Sequence, residues 1–431
     1  MDPLERAYSI QMPERPFRVA IDRANKRLER QSGAPLSGIR VLAIEQMQAL
    51  PFSTQLLARL GADVVKIEPL TGESGRGAMP AMLDPEGRRV GATFLRGNLN
   101  KRSVCVDLKT DEGRDLVLRL VPEFDVVAEN SRPGSMDAMG LGYSDISAVH
   151  PGCIYASVSG FGKLLPSPYG SWPAYAPIVE AMSGIYEMKR VGDDPPVVSP
   201  VGALGDISAA LFVTIGVLAA LRQRDATGQG QHVDVAMLDA VIAMTDIVSN
   251  FWSMGLANGE VGPVINHGFK SADGWFVLQV SREAHFAKLA RTIGADQWLD
   301  DPRFDTRQGW LDHLESDIRP AIETWSAGMT RIEVCNTLAG AGIAAGPCLR
   351  DDELATDPHV RAHNMLIGIE RSDGVDSPVL VVGNPIKFSN FAGVDDVRPP
   401  WVGEDTAAVL QDELGMDSNE VEQLRAKGIV A

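Results

Sequence analysis

Cysteine is scarce in this 431-residue chain, and the four present, Cys105, Cys153, Cys335 and Cys348, lie far apart with no CxxC pair. That spacing argues against a disulfide framework and against a zinc cluster. The seven histidines, His150, His232, His267, His285, His313, His359 and His363, show no metal-ligand spacing. His359 and His363 stand four apart, but Asp357 and Pro358 before them read as a turn rather than as the helix a metal pair needs. No stretch approaches the roughly 20 consecutive apolar residues of a membrane span, and residues 1–34 carry no hydrophobic secretory core. A soluble, cytoplasmic protein with no membrane partner is the expectation. Positive charge is the other deficit: 40 Lys and Arg against 57 Asp and Glu leave a formal net charge of −17. A general nucleic-acid binder draws its affinity from clustered Lys and Arg, so nucleic acid is not an expected partner. An anionic small ligand is still compatible, because local cations and backbone N–H groups can hold phosphates on an acidic body.

Several catalytic signatures are also missing. There is no GxSxG elbow, no GxxxxGK[ST] loop and no HExxH helix. Gly340, Gly342 and Gly346 have the wrong spacing for a dinucleotide fingerprint and follow a helix, so they read as a turn. The strand Ile39 to Ile44 is followed by Glu45 to Pro51 without the glycines that let a pyrophosphate approach a helix N-terminus, which argues against a plain NAD site.

What is present is a globular composition, 45% hydrophobic and 23% charged with 42 Gly and 27 Pro, long enough for two or three domains and a substantial core. Residues 1–34 read as an arm, with Phe17, Ile21, Ala24 and Leu28 at helical spacing. From residue 38 short apolar runs alternate with helical segments: strands at Ile39 to Ile44, Asp63 to Glu68, Ser103 to Leu108, Asp125 to Glu129 and Cys153 to Val158, helices at Phe52 to Leu60, Thr110 to about Val121 and Ser144 to Val149. Strands separated by single helices imply a mostly parallel sheet and an α/β fold. Residues 161–204, rich in Gly, Pro and Ser, read as a covering layer with a helix over Ile178 to Tyr186. The most apolar helix, Ile207 to Leu221, is entered through Gly205 and Asp206 and predicts deep burial. A short strand at Val233 to Val235 and a helix from Leu238 to about Met254 follow. A second unit begins near residue 255, with a strand at Trp275 to Val280, helices at Arg282 to Ile293 and Met329 to Ala339, a strand at Val379 to Ser389 and a charged terminal helix over Thr406 to Lys427.

Ligands of a parallel sheet sit beyond the carboxyl ends of its strands. The residues there are Gln48 and Ala49, Glu68, Asp107, Leu108 and Lys109, Asn130, Ser131 and Arg132, and Ser159. Asp206 is the most informative carboxylate. On its local pattern it reads first as an N-cap aspartate of the apolar helix; a carboxylate nucleophile at the mouth of the sheet is compatible with that, because a capping position also fixes its direction.

The succession LSGIRVLAIEQMQALPFSTQLLARLGADVVKIEP (36–69), NKRSVCVDLKTDEGRDL (100–116), DVVAENSRPGSMDAMGLGY (125–143), GALGDISAALFVTIGVLAAL (202–221), TGQGQHVDVAMLDA (227–240) and AGIAAGPCLRDDELATDPHVRAHNML (341–366) resembles the class III CoA-transferases. That family includes formyl-CoA and carnitine CoA-transferases and is related to α-methylacyl-CoA racemase. The resemblance implies a large discontinuous Rossmann-like α/β domain, a smaller α+β domain, and an interlocked, ring-like homodimer. On this reading the chain divides into an arm (1–34), the first part of the large domain (35–254), a small domain (255–350) and a return to the large domain (351–431). The catalytic aspartate falls on Asp206 by its Leu-Gly-Asp context, and the coenzyme A contacts on Gln48 and Ala49, on Val106, Asp107, Leu108 and Lys109, on Asn130, Ser131 and Arg132, and on Tyr175. An acyl-CoA and a small carboxylic acid are the implied substrates, exchanged through an aspartyl anhydride and an aspartyl-CoA thioester without a metal.

Departures from the family pattern qualify this. The racemase branch carries Gly-His-Asp where this chain has Ala174, Tyr175 and Ala176, so the histidine base of an acyl-CoA racemase or isomerase is missing. Pro69 and Ala138 stand where some members hold coenzyme A phosphates with arginines; Arg76, Lys109 or Arg132 are the substitutes, and a silent coenzyme A-binding homologue is the alternative. The polyglycine loop of the formyl-CoA and oxalate enzymes is not evident near His267.

Overall fold

Runs of β-branched and small apolar residues, with side chains alternating between two buried faces, build the central sheet. The computed structural model describes residues 18–20, 33–190, 192–198, 203–256 and 263–431. The arm expected over 1–34 lies outside these apart from residues 18–20, 33 and 34. Two compact units are present: residues up to Ser249 together with Pro358–Ala431, and Asn250–Asp357.

In the larger unit, strands β1 (Arg40–Ile44), β2 (Asp63–Glu68), β3 (Lys101–Cys105), β4 (Val126–Glu129), β5 (Ile154–Ser159) and β6 (His232–Ala236) form one six-stranded sheet in the order β3-β2-β1-β4-β5-β6. Every pairing is parallel. The period of two is visible in β1: Val41 and Ala43 join one core, Leu42 and Ile44 the other. The first core is closed by helices α1 (Ala49–Arg59) and α6 (Leu204–Thr227), the second by α3 (Asp111–Leu120), α4 (Tyr143–Val149) and α10 (Thr406–Leu414). Both faces of a parallel sheet are thus covered, as its crossovers require. The α/β class and the parallel sheet expected from the sequence are what the structure has.

Helix boundaries differ in informative ways. Thr110 caps α3 through its hydroxyl, which accepts from Gly113 N at 3.0 Å, as its position before an acidic first turn suggests. The expected helix Leu238 to Met254 is shorter: α7 (Met237–Ala243) ends and gives way to a π-turn at Ile247–Phe251 and a 3-10 turn at Trp252–Met254. The terminal helix is two helices, α10 and α11 (Ser418–Ala426), because Gly415 takes a left-handed φ of 64° and Asp417 caps a new start. The apolar helix α6 runs to 24 residues, long and apolar enough by length and composition to cross a membrane, which corrects the reading that no stretch approaches that size. In the protein it packs on α1 and the sheet, with half of its most apolar window buried.

The smaller unit holds an antiparallel three-stranded sheet, β7 (Ile265–Lys270), β8 (Trp275–Val280) and β9 (Ala344–Pro347), in that order. Burial alternates strictly along β8. Helices α8 (Glu283–Ile293) and α9 (Arg331–Gly340) cover its apolar face. Phe286 stacks on Trp310 at 4.5 Å between ring centres in this core.

Candidate active site

In the order β3-β2-β1-β4-β5-β6 the chain leaves β1 toward one edge and later returns to β4 on the other side. The crevice beyond the carboxyl ends of β1 and β4 is therefore the topological switch point, where such sheets bind ligands. A cavity of about 440 Å³ opens there. Gln46 to Ala49 from the turn after β1 and Asn130 to Pro133 from the turn after β4 line it, with Ser159 to Phe161, Trp172 to Pro177, Ala203, Asp206 and Met237. The two turns hold each other through a reciprocal amide pair: Gln46 N donates to Asn130 Oδ1 at 3.0 Å and Asn130 Nδ2 donates to the Gln46 carbonyl at 2.9 Å.

Asp206 sits in the first turn of α6, two residues beyond the helix start, and is not its N-cap. The capping work falls to Glu180, from helix α5 (Ala176–Met182): its Oε1 accepts from Gly205 N at 3.0 Å, and its Oε2 accepts from the Tyr186 hydroxyl at 2.5 Å. This needs a glycine at 205, where a Cβ would lie 2.7 Å from Val179 Cγ2. Relieved of capping, the Asp206 carboxylate accepts instead from the backbone N–H of Ala49, the first residue of α1. Ser53 and Thr214 tie α1 to α6 with hydroxyls 2.8 Å apart, which fixes the register of that contact. The positive N-terminal ends of two helices thus face one carboxylate. Burial and the Glu180 charge outweigh the Ala49 N–H and the Arg96 guanidinium, and the Asp206 carboxyl is pushed up to about 6.

The turn that carries Gln48 and Ala49 is held from below by buried charge. Met47 has a left-handed φ of 63°, unusual for a residue with a side chain. Its N–H donates to Glu73 Oε2 at 3.1 Å. Beneath it, Lys101 Nζ donates to Glu45 Oε1 at 2.6 Å, Thr54 Oγ1 donates to Glu45 Oε2 at 2.7 Å, and Lys66 Nζ lies 3.7 Å from Glu45 and 3.6 Å from Glu73. Burial alone would raise the Glu45 carboxyl; Lys101 and Lys66 overcome it and leave Glu45 below the usual carboxylate range. On the β4 side, Glu129 accepts from Ser131 N at 2.8 Å and from Lys163 Nζ at 2.6 Å, so the second turn is also anchored.

The structure brings Asp206, Gln48, Ala49, Asn130, Ser131, Arg132 and Tyr175 to one cavity. It does not bring Val106, Asp107, Leu108 and Lys109 there. Val106 is buried and bridged to Val430, while Asp107 accepts from Lys109 N in the turn that leads to α3. Lys109 and Arg132 are exposed. The choice of Arg76 as a phosphate ligand is corrected: it is 3% exposed, and its guanidinium is spent on both Glu68 oxygens at 2.7 and 2.6 Å and on the Pro400 carbonyl at 3.1 Å. Ala174, Tyr175 and Ala176 line the cavity beside the aromatic cluster Phe161, Tyr169 and Trp172.

A family model described as CoA-transferase family III matches residues 36–406. The chain belongs to CoA-transferase family III. It is 33% identical over 413 residues to a succinyl-CoA–D-citramalate CoA-transferase of Chloroflexus aurantiacus, covering 92% of this chain and 98% of the relative. It is 32% identical to a formyl-CoA:oxalate CoA-transferase of Streptomyces avermitilis, covering 92% and 99%. Among solved structures, a CAIB/BAIF family protein from Brucella suis superposes with a TM-score of 0.77 at 32% identity over 88% of this chain and 99% of that one. As a family III CoA-transferase the protein is an enzyme that takes an acyl-CoA as co-substrate.

Two residues of this CoA-transferase site escaped the sequence reading. Glu180 carried a signal, a lone acid between the buried positions Val179 and Ser183 of an otherwise apolar helix face. Arg96, at the end of helix α2 (Ala92–Gly97), carried none: its Nη1 donates to Gln48 Oε1 at 2.9 Å, a contact between segments 48 residues apart.

Proposed function

We propose that this enzyme exchanges coenzyme A between an acyl-CoA and a free carboxylic acid through covalent chemistry at Asp206. The observation that carries the reading is the Asp206 carboxylate itself, lining the switch-point cavity and aimed by the Ala49 N–H. With its carboxyl at about 6, roughly nine-tenths of it is ionised at pH 7, yet it is more basic than an ordinary aspartate and so a better nucleophile. An Asp206 oxygen attacks the thioester carbonyl, the C–S bond breaks, and a mixed anhydride and coenzyme A thiolate form. The thiolate attacks the aspartyl carbonyl, releasing the donor acid and leaving an aspartyl-CoA thioester. The acceptor carboxylate attacks that carbonyl, expels the thiolate and forms a second anhydride. Attack of the thiolate on the acceptor acyl carbon then yields the new acyl-CoA and restores Asp206. One difficult exchange becomes steps of similar energy.

Gln48, Ala49, Asn130, Ser131, Arg132 and Tyr175 are proposed to hold the coenzyme, with the exposed cations Arg132 and Lys109 available to its phosphates. Among the described residues the cavity lining contains no histidine and no carboxylate besides Asp206, which supports transfer over two-base racemisation. The enzyme is proposed to be a cytoplasmic homodimer. Leu211, Phe212 and Ile215 on α6, exposed by 44%, 39% and 61%, support self-association.

The test is trapping. Incubation with succinyl-CoA or acetyl-CoA and hydroxylamine, followed by peptide mapping, is expected to label Asp206. An unlabelled Asp206 in an enzyme that still turns over, or full activity in Asp206→Ala, overturns the reading. Deuterium entering the α-carbon without any acceptor acid would instead mark a racemase.

A further inference from the structure

The lining of the switch-point cavity divides by chemistry. Most of its polar side chains, Gln46, Gln48, Asn130, Ser131 and Arg132, come from the turns after β1 and β4, and Arg132 is the sole cation among the described lining residues. Between Phe161 and Pro177 the lining carries no charge, and its large groups are aromatic. Phe161 and Trp172 belong to a cluster with Tyr169 in which ring centres lie 4.9 to 6.4 Å apart, the spacing of favourable aromatic pairs. Phe161 is 8% exposed but Trp172 is 52% exposed, so about half of Trp172 stays open beside the cavity. The segment that carries these rings is fixed to the sheet. Leu164 N donates to Asp234 Oδ2 at 2.9 Å and Gly162 N donates to Ser159 Oγ at 3.0 Å. Gly160 is packed so closely on Ala174 that a Cβ there would collide with the alanine Cβ. The aromatic wall is therefore formed before any ligand arrives, as binding pockets usually are. Next to the nucleophile the side chains are small: Ala176 packs on Gly205, where a Cβ would lie 3.2 Å from Ala176 Cα, and Ala203 stands one turn before Asp206. With Ala174 they leave lining space that Met237 shares.

We propose that the acid exchanged at this site is a monocarboxylic acid carrying an aromatic ring, and that the ring packs against Phe161 and Trp172 while the carboxyl carbon meets Asp206. The inference rests on the acyl transfer proposed for Asp206. A ring placed there extends the existing cluster and covers the open part of Trp172, a gain that a short aliphatic acid does not bring. A second carboxylate on the acyl group would face this wall with no cation among the described lining residues to meet it, and a desolvated anion without a partner is costly. Arg132, in the turn after β4, is among the groups assigned to the coenzyme. The adenine of coenzyme A is the other flat ring in the reaction. It lies at the far end of the pantetheine arm from the thioester, whereas this wall adjoins the nucleophile through Ala176 and Ala203.

The test measures transfer from acetyl-CoA to phenylacetate, hydrocinnamate, hexanoate, succinate and acetate. Wild-type enzyme is expected to favour the two aromatic acids over acetate by roughly 10- to 100-fold in kcat/KM, the effect of burying one ring, and to rank them above hexanoate and succinate. In Trp172→Ala the ratio of hydrocinnamate to acetate is expected to fall roughly 10-fold, and Trp172→Phe should restore most of it. A wild-type preference for succinate or acetate overturns the assignment, and so does an unchanged ratio in Trp172→Ala. An equal loss on every acid, joined by a loss of preference for acetyl-CoA over acetyl-pantetheine, places Trp172 on the adenine and also overturns it. If Trp172→Ala does not fold, Trp172→Leu decides: it keeps an apolar wall without the ring, and should lose the preference for hydrocinnamate over hexanoate. Failure of the underlying chemistry reads out separately, as turnover with no hydroxylamine label on Asp206, whichever acid is preferred.

Discussion

The Asp206 carboxylate is set for reaction at some cost to the fold. Its carboxyl ionises at about 6 in the protein against 3.8 for the ordinary group, so between those values the folded state holds a proton that the unfolded chain has released. This contribution to stability therefore falls as pH rises from about 4 to about 6 and stays lost above. Asp206→Asn keeps the acceptor for Ala49 N and removes that cost. At pH 8 it should stabilise the protein by about 1–2 kcal/mol, the full shift being discounted for the carboxylate's contact with solvent, while lowering exchange at least about 1000-fold. Urea unfolding and steady-state assays check the two halves together. Activity, which needs the ionised form, should fall about tenfold per pH unit below about 6. After burial, the Glu180 charge is the second cause that raises Asp206. Glu180→Gln should shift the acid limb of the profile to lower pH, and a pH–kcat/KM series on a single donor measures it.

At the level of elements, the turn between β1 and α1 owes its shape to the charge network beneath it. Glu45 and Lys101 are both fully buried and bonded at 2.6 Å. Removing one partner leaves a desolvated charge, so Lys101→Met should destabilise by about 3–5 kcal/mol. The double variant Glu45→Gln with Lys101→Met should cost less than the sum of the singles, a coupling that a double-mutant cycle in urea measures directly. The strands that position this turn were legible. The β-branched run Asp63–Glu68 is the strand expected from sequence, and Thr110 caps its helix as its place before Asp111 and Glu112 indicates. The cap of α6 was not legible. Glu180 reaches Gly205 from 25 residues away, and no local pattern around Asp206 announces that another helix will supply its cap.

For the whole molecule, the row Leu211, Phe212 and Ile215 on α6 is apolar surface that a chain of this size would normally cover. Self-association should give a mass of two chains by sedimentation, and Ile215→Asp should shift the distribution toward one chain. The division into units also belongs to this scale. Residues beyond Pro358 return to the larger unit, where Val409, Leu410, Val421 and Ile429 complete the core under β3.

By itself the sequence determined the alternating α/β pattern, the parallel sheet, the family and the polar residues at strand ends, because each follows from local periodicity or from contiguous motifs. Asp206 was legible for the same reason, through Gly205 before it and the apolar run after it. Tertiary structure alone decided which cations were still available. Arg76 and Arg96 are equally arginine in sequence, but both oxygens of Glu68 accept from Arg76, and among the described residues Arg96 bonds the Gln48 amide instead of a carboxylate. Charge pairing depends on distances between segments that the chain order does not record. The same holds for the basicity of Asp206, which is set by burial and by Glu180, both consequences of how α5 and α6 meet.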